Sequence, residues 1–336
     1  MPSIAAPLAG FILAAGAILI AGSRLARIAD ALSLRLGLGA AFFGAVFLGA
    51  ATSLPGLTAS TLAAYRGSAE LAVSNAVGGI AAQTLFLVFA DIAYRRANLE
   101  HAAASLQNIL YGTALMVMLA LTMLARAGPD ITIFAIHPVS FVLLGAYGFV
   151  VRLTDHAKSQ PMWRPRQTDE TKPENENGDR ERHSTHMLWV GFAALAATTL
   201  AAGWAVAEIG TVFIERFGMS ETAVGVFFIA VATSTPELVV TLAAVRRGAV
   251  RLAIGGILGG NAFDTLFIAA SDIAYREGSI YHAMSARQEF WIAVAIAMAG
   301  LVILGMLARE RHGPGNVGFE GVSIAALYAA GAWMSF

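Results

Sequence analysis

Ten long, mostly apolar stretches follow one another along this chain, and that succession constrains its fold more than any other feature. They fall at about 5–29, 37–64, 71–93, 104–125, 131–151, 187–213, 222–245, 252–275, 288–308 and 316–335. A stretch of roughly 20 apolar residues is what a helix needs to cross a bilayer. Inside the bilayer no water satisfies the backbone, so a spanning segment is a helix or a strand of a closed barrel. Barrel strands alternate apolar and polar residues over about ten positions, whereas these runs are long and unbroken. The expected fold is therefore an all-α polytopic membrane protein with ten transmembrane helices. Charge agrees: only 13% of residues are charged, about half the share usual in a soluble domain. Of the 44 charged side chains, 13 lie in the single segment 153–186. A soluble enzyme and a disordered chain are excluded. With a net charge of zero there is no basic surface for nucleic acid. Without cysteine there is no disulfide framework, thiolate metal site or thiol chemistry. The N-terminal stretch lacks a charged leader and cleavage signal and reads as a retained helix.

The chain also matches itself at a shift of 181 residues. Residues 8–95 align without a gap to 189–276, with 33 of 88 positions identical. The closest segments are ATSLPGLTASTLAAYRG (51–67) against ATSTPELVVTLAAVRRG (232–248), GGIAAQTLF (78–86) against GGNAFDTLF (259–267), and DIAYR at 91–95 and 272–276. Three regions follow: a first five-helix repeat over 1–152, a polar linker over 153–186, and a second five-helix repeat over 187–336. Five spans per half is an odd number, so the second half is expected to be inverted relative to the first. Inverted halves with polar, Pro-broken segments at matching places are the mark of a secondary transporter with a midplane site.

Positive charge sets the expected orientation. Seventeen of the 22 Lys and Arg residues fall in the odd-numbered loops. That places the linker 153–186 in the cytoplasm and both termini outside, in a multi-pass protein of the cell (inner) membrane.

The chemistry concentrates at the matching motifs. In the seventh span, Thr233-Ser234-Thr235-Pro236-Glu237 interrupts an apolar helix. Pro236 has no N–H, so the carbonyl of Ala232 loses its helical partner and becomes available. Thr233 and Glu237, four apart, share a face. Hydroxyl, carbonyl and carboxylate oxygens together suit a hard cation such as Na⁺ or Ca²⁺. In the eighth span Asn261 and Asp264, three apart, share a face beside Gly259 and Gly260. A carboxylate at mid-membrane costs several kcal/mol, so Glu237 and Asp264 point to function. Asp91 and Asp272, each four residues before an arginine (Arg95, Arg276), read as helix-end ion pairs. Glu208, alone in the sixth span, lines the path or pairs with a basic residue.

These motifs resemble those of the cation/calcium antiporter superfamily, in particular the bacterial Na⁺/Ca²⁺ exchangers, whose repeats read roughly G-T-S-x-P-E and G-S-N-x-x-N or G-S-N-x-x-D. Ala232-Thr-Ser-Thr-Pro-Glu237 and Gly259-Gly-Asn-Ala-Phe-Asp264 carry the resemblance. It implies two inverted five-helix halves. It also implies cation sites lined by Thr52, Ser53, Thr233 and Ser234 with the carbonyls of Ala51 and Ala232, and metal held chiefly by Glu237, Asp264, Thr52 and Thr233. The first repeat departs from the pattern. Gly56 stands where the family has glutamate, and Gln83 where it has Asn or Asp. Gly79 and Gly260 replace a serine that serves an outer Na⁺ site, which implies weakened monovalent sites.

The expected function is secondary-active antiport, exchanging Ca²⁺ for Na⁺ or H⁺ by alternating access. The alternatives are a monovalent cation/proton antiporter and a degenerate, non-transporting membrane sensor or partner. The expected partners are the lipid bilayer and small inorganic cations. No enzymatic activity and no cofactor is implied, and oligomeric state is left open.

Overall fold

The computed structural model describes residues 4–36, 49–159, 163, 184–308 and 317–335. The described chain is built of helices: α1 (Ala5–Leu36), α2 (Gly49–Tyr65), α3 (Ala69–Ala93), the short α4 (Leu99–Ala102), α5 (Leu106–Ala127) and α6 (Pro138–Ser159). After the linker come α7 (Thr185–Phe217), α8 (Glu221–Thr233), α9 (Thr235–Arg246), α10 (Val250–Ala274), the short α11 (Ile280–Ala283), α12 (Ala286–Ala308) and α13 (Phe319–Ser335). Seven of these are long and apolar enough to cross a bilayer, and α8–α9 makes an eighth if the bent pair is one span. α2 and α13 are 17 residues each. The first part of the expected span 37–64 lies outside the described residues, as does most of the segment 153–186. α6 runs on to Ser159, and α7 begins at Thr185, where Ser184 caps it by accepting the Met187 N–H at 3.3 Å.

Burial separates a centre from a flank. In α3 and α10, 78% and 72% of the spanning window is buried, against 28% in α1 and in α7. α1 and α7 pack on each other and leave apolar side chains such as Ile12, Leu13, Val190 and Trp204 exposed. Exposed large apolar residues in such number fit a surface bathed in lipid. α10 packs along both α2 and α3, so the central helices of the two halves meet.

The flanking helices cross the proline segments at glycine. A Cβ on Gly22 of α1 would lie 2.5 Å from Cγ of Pro236, and one on Gly203 of α7 would lie 2.7 Å from Cα of Pro55. The 181-residue shift relates Gly22 to Gly203 and Pro55 to Pro236, so the crossing is built twice. The turns repeat as well. Gly67 and Gly248, at φ +85° and +82°, take the left-handed conformation that ends α2 and α9.

Asp91 and Asp272 do other work than the expected ion pairs. Asp91 accepts the N–H of Leu99 at 2.8 Å and of Gly318 at 3.3 Å. Asp272 accepts the N–H of Ile280 at 3.0 Å and of His137 at 2.7 Å, and the Ser140 hydroxyl at 2.6 Å. Both carboxylates therefore hold the start of the next short helix and tie it to a distant segment, while Arg276 turns to the Phe134 carbonyl. Glu208 of α7 pairs with Arg66 at the end of α2.

Candidate site at the meeting of the two halves

α2 runs through Pro55 as one helix, but its counterpart is broken. α8 carries a π-helical turn over Val224–Ile229, and α8 and α9 meet at a 47° bend at Ser234. A π turn adds a residue to the helical circuit, and Pro236 cannot donate to the preceding turn. The carbonyl of Ala232 is not left free as expected. It accepts the Thr235 hydroxyl at 2.8 Å. Thr233 likewise returns its hydroxyl proton to the carbonyl of Ala230 at 3.2 Å, so only its lone pairs remain for a ligand, while the Thr52 hydroxyl lies 3.1 Å from the Gly49 carbonyl.

The two proline segments face each other across α3 and α10 around a cavity of about 10 Å³, room for about one water. Ser53, Gly56, Asn75, Gly79, Gln83, Thr233, Ser234, Glu237, Asp264 and Phe267 line it. Six of the ten residues expected at the site are therefore on its wall: Ser53, Gln83, Thr233, Ser234, Glu237 and Asp264. Thr52 lies just behind, close enough to hydrogen-bond the Glu237 carboxylate. Ala51 and Ala232 are buried but do not line the cavity. Asn261 turns away: its amide donates to the Ile80 carbonyl at 3.3 Å and the Thr84 hydroxyl at 3.0 Å, which straps α10 to α3.

Asp264 is held from both sides by neutral donors of the first half. The Ser53 hydroxyl donates to Oδ1 at 2.7 Å and the Gln83 amide to Oδ2 at 2.6 Å. Gln83 also reaches Ser234 Oγ at 3.3 Å. Two donated hydrogen bonds, one per oxygen, satisfy a buried carboxylate without a cationic side chain. Glu237 stands near enough to Asp264 for the two acids to act on each other, and its Oε2 has no hydrogen-bond partner. Oε1 of Gln83 is also buried and unpartnered. Open acceptors beside two carboxylates, with no cationic side chain on the wall, suit a cation.

The place of the missing first-half acid is filled. A Cβ on Gly56 would lie 2.8 Å from Cε2 of Phe267. Sequence reasoning marked Gly56 as the departure but missed Phe267, which closes the space, and Asn75, which joins the wall. The signal for Asn75 was present: an amide in an apolar helix, in step with Gly79 and Gln83 at i, i+4 and i+8 on one face of α3. Among the described residues no group of three or more His, Cys, Asp or Glu could hold a metal; the wall offers two carboxylates and neutral oxygens.

Comparison with known proteins agrees with this architecture. The profile of the family described as sodium/calcium exchanger protein matches residues 6–154 and 185–336. CaxA of Alkalimonas amylolytica, named for antiport, is 26% identical over 286 residues, covering 84% of this chain and 85% of its own. The sodium/calcium exchanger MaX1 of Methanosarcina acetivorans is 41% identical over 66 residues, 20% of this chain and 19% of its own. Among solved structures, the H⁺/Ca²⁺ exchanger CAX superposes with a TM-score of 0.70 at 15% identity, over 97% of this chain and 81% of that one. The sodium-calcium exchanger NCX_Mj superposes with a TM-score of 0.62 at 18% identity, over 98% and 99%.

Proposed function

Because this chain belongs to the sodium/calcium exchanger protein family, we propose that it is a cation antiporter exchanging Ca²⁺ for Na⁺ or H⁺ through the cavity between its halves. The observation that carries the reading is the pairing of Glu237 and Asp264 on one small buried wall with open oxygen acceptors. Glu237, Asp264, Thr52 and Thr233 hold the metal, with Ser53, Ser234 and Gln83 completing the shell; Ala51, Ala232 and Asn261 support it. A buried charge without compensation is expensive. One Ca²⁺, two Na⁺ or two H⁺ balance two carboxylates, so exchange is close to electroneutral.

Transport proceeds by alternating access. The proposed architecture is ten spans in two inverted repeats in the inner membrane, with both termini outside and the linker in the cytoplasm. The recurrence of the glycine–proline crossing and of the Asp caps at one sequence shift supports the repeat. The mostly exposed α1 and α7, meeting the core at glycine, are the elements suited to slide. A second reading is favoured by Phe267 standing where the first-half acid would be: with fewer charges, the cavity works as a monovalent cation/proton exchanger.

The test is ⁴⁵Ca²⁺ uptake into proteoliposomes driven in turn by a Na⁺ gradient, a pH gradient and neither. Uptake coupled to one gradient supports Ca²⁺ exchange. Na⁺/H⁺ flux without Ca²⁺ flux favours the second reading. No flux in any arm leaves a sensor and sinks both.

A further inference from the structure

Away from the cavity, where α3, α4, α12 and α13 meet, three acids are buried together: Asp91, Glu100 and Glu320, at 1%, 2% and 0% exposed. Asp91 is met by the N–H groups of Leu99 and Gly318. The two glutamates are not so provided. A Cβ on Gly305 of α12 would lie 2.8 Å from Cδ of Glu320 and 3.2 Å from Cβ of Glu100, so both side chains pass over that glycine. Asn98 is fixed in direction. Its Oδ1 accepts the N–H of Glu100 at 2.9 Å and of His101 at 3.3 Å, and its Nδ2 donates to Oε1 of Glu320. Oε2 of Glu320 and Oε2 of Glu100 are both buried without a donor. The two carboxyl groups stand within hydrogen-bond reach of each other, but two carboxylates have no proton to join them.

The second half shows what the position asks for. The 181-residue shift carries on past Arg95: Asn98, Leu99, Glu100 and His101 correspond to Ser279, Ile280, Tyr281 and His282. Ser140 donates its proton to Asp272 at 2.6 Å, so its contact with Tyr281 at 2.9 Å is donated by the phenol. The tyrosine hydroxyl thus brings a proton to the tie between α11 and the start of α6. Glu100 stands in the place of that tyrosine, and a carboxyl group donates only when protonated.

The surroundings keep a proton there. Burial pushes the Glu100 carboxyl well above the usual carboxylate range, and the nearby Glu320 and Asp91 push it further. Among the described residues, those two acids are the charges that act on it. α12 presents no titratable side chain between Phe290 and Ala308. Arg95 and Arg96 are exposed, Arg251 at the start of α10 is half-buried, and His101 follows Glu100 on α4. Among the described residues the acids assemble no metal site, which leaves a proton as the cation that fits between them.

We propose that Glu100 and Glu320 form a proton-binding site outside the cavity, sharing one proton that latches α13 to α4 and is released as pH rises. α13 and α4 both pack on α3, the helix whose Gln83 holds Asp264, so the latch fixes one end of the cavity wall. The site stands independently of the antiporter reading.

The experiment is thermal unfolding of the purified full-length protein in detergent across a range of pH, with infrared spectra of the same samples. The chains compared are the wild type, Glu100→Gln, Glu320→Gln and the double variant. The folded pair keeps a proton that the unfolded chain gives up at the ordinary glutamate value. Its stabilisation is therefore complete below that value and is lost as pH rises through the raised one. A glutamine amide is a permanent donor of the same shape, so either single variant should flatten this decline. At the alkaline end each should melt about 2–4 °C above the wild type. The infrared band of protonated carboxyl groups should lose the same single carboxyl in each variant. The double variant should lose no more, because the proton belongs to the pair. Additive losses would mean two separate acids and overturn the site, as would single variants that keep the wild-type band and pH dependence. Ca²⁺ that stabilises Glu237→Gln protein, but not the same protein with Glu100→Gln added, would put a metal ion where the proton is proposed. Failure of both single variants to fold would also refute the shared proton, since a permanent donor meets its one requirement.

Discussion

The two proline-bearing segments start from nearly one sequence, Ala51-Thr-Ser-Leu-Pro-Gly56 and Ala232-Thr-Ser-Thr-Pro-Glu237, and become different objects. The first passes through Pro55 as a continuous helix and presents a bare backbone against Phe267. The second winds through a π turn, bends by 47° and presents a carboxylate. Proline alone therefore does not set the bend, since both have it. What differs among the described residues is the residue that follows the proline, Gly56 in one and Glu237 in the other. The repeat supplies the frame twice and the charge once. A neutral half supplies donors, Ser53 and Gln83, to the acid of the other half.

The largest effect expected is at that single charge. Glu237→Gln keeps shape and removes the carboxylate, and hydroxyls and carbonyls alone bind a divalent cation weakly. Exchange should be abolished while folded protein remains in the membrane, because removing a buried charge need not cost stability. Ca²⁺ flux at the wild-type rate in this variant would show that the halves are not unequal in the way described.

Restoring symmetry is the next test. Gly56→Glu places a Cβ against Phe267 at 2.8 Å, and overpacking of this kind costs about 1–3 kcal/mol. The single variant should lose stability. Gly56→Glu with Phe267→Ala should recover folding, tighten Ca²⁺ and make exchange depend on membrane potential, read in proteoliposomes clamped with K⁺ and valinomycin. If the double variant folds and still binds Ca²⁺ as the wild type does, the missing acid is not the limiting feature.

Much of this was legible in the sequence. The apolar runs, the 181-residue shift and the motif around Pro236 located the helices and six wall residues. The bend angle and the π turn were not legible, because the same Pro motif occurs in both halves and only the second is bent at it. Asn261 looked like a ligand because it sits three residues from Asp264, yet an amide can turn about its helix to reach Ile80 and Thr84, and spacing does not fix that choice. Asp91 and Asp272 looked like ion pairs because an arginine follows each; the backbone donors that claim them come from segments distant in sequence, such as Gly318 and His137.

The glycine crossings test whether the two flanks are equally constrained. At Gly203 an added methyl meets the backbone of Pro55, which cannot yield without moving α2; at Gly22 it meets the ring of Pro236, which can repucker. Gly203→Ala should therefore destabilise by about 2–3 kcal/mol and Gly22→Ala by about 1, measured as thermal unfolding in the same detergent. Equal losses would mean that ring and backbone are equally fixed, and that the two crossings are mechanically alike.

The smallest effect expected concerns the ion pairs at the ends of those crossings. Arg66, at the end of α2, meets Glu208 of α7 directly. The residue that the repeat places opposite, Arg247, acts on Asp30 of α1 only through space, with no contact pair between them among the described residues. The Arg66–Glu208 side chains are 40% and 27% exposed, and a pair so open is worth about 0–1 kcal/mol. Arg66→Ala should then lower the melting temperature by about 2 °C or less. The loss should shrink as salt is raised, because exposed charges are screened. Arg247→Ala should leave the melting temperature unchanged at any salt concentration. The flanks are then unequal at their ends as they are at their centres, one tied and one untied. An Arg247→Ala loss as large as that of Arg66→Ala, with the same salt dependence, would show both pairs closed and remove the asymmetry between α1 and α7.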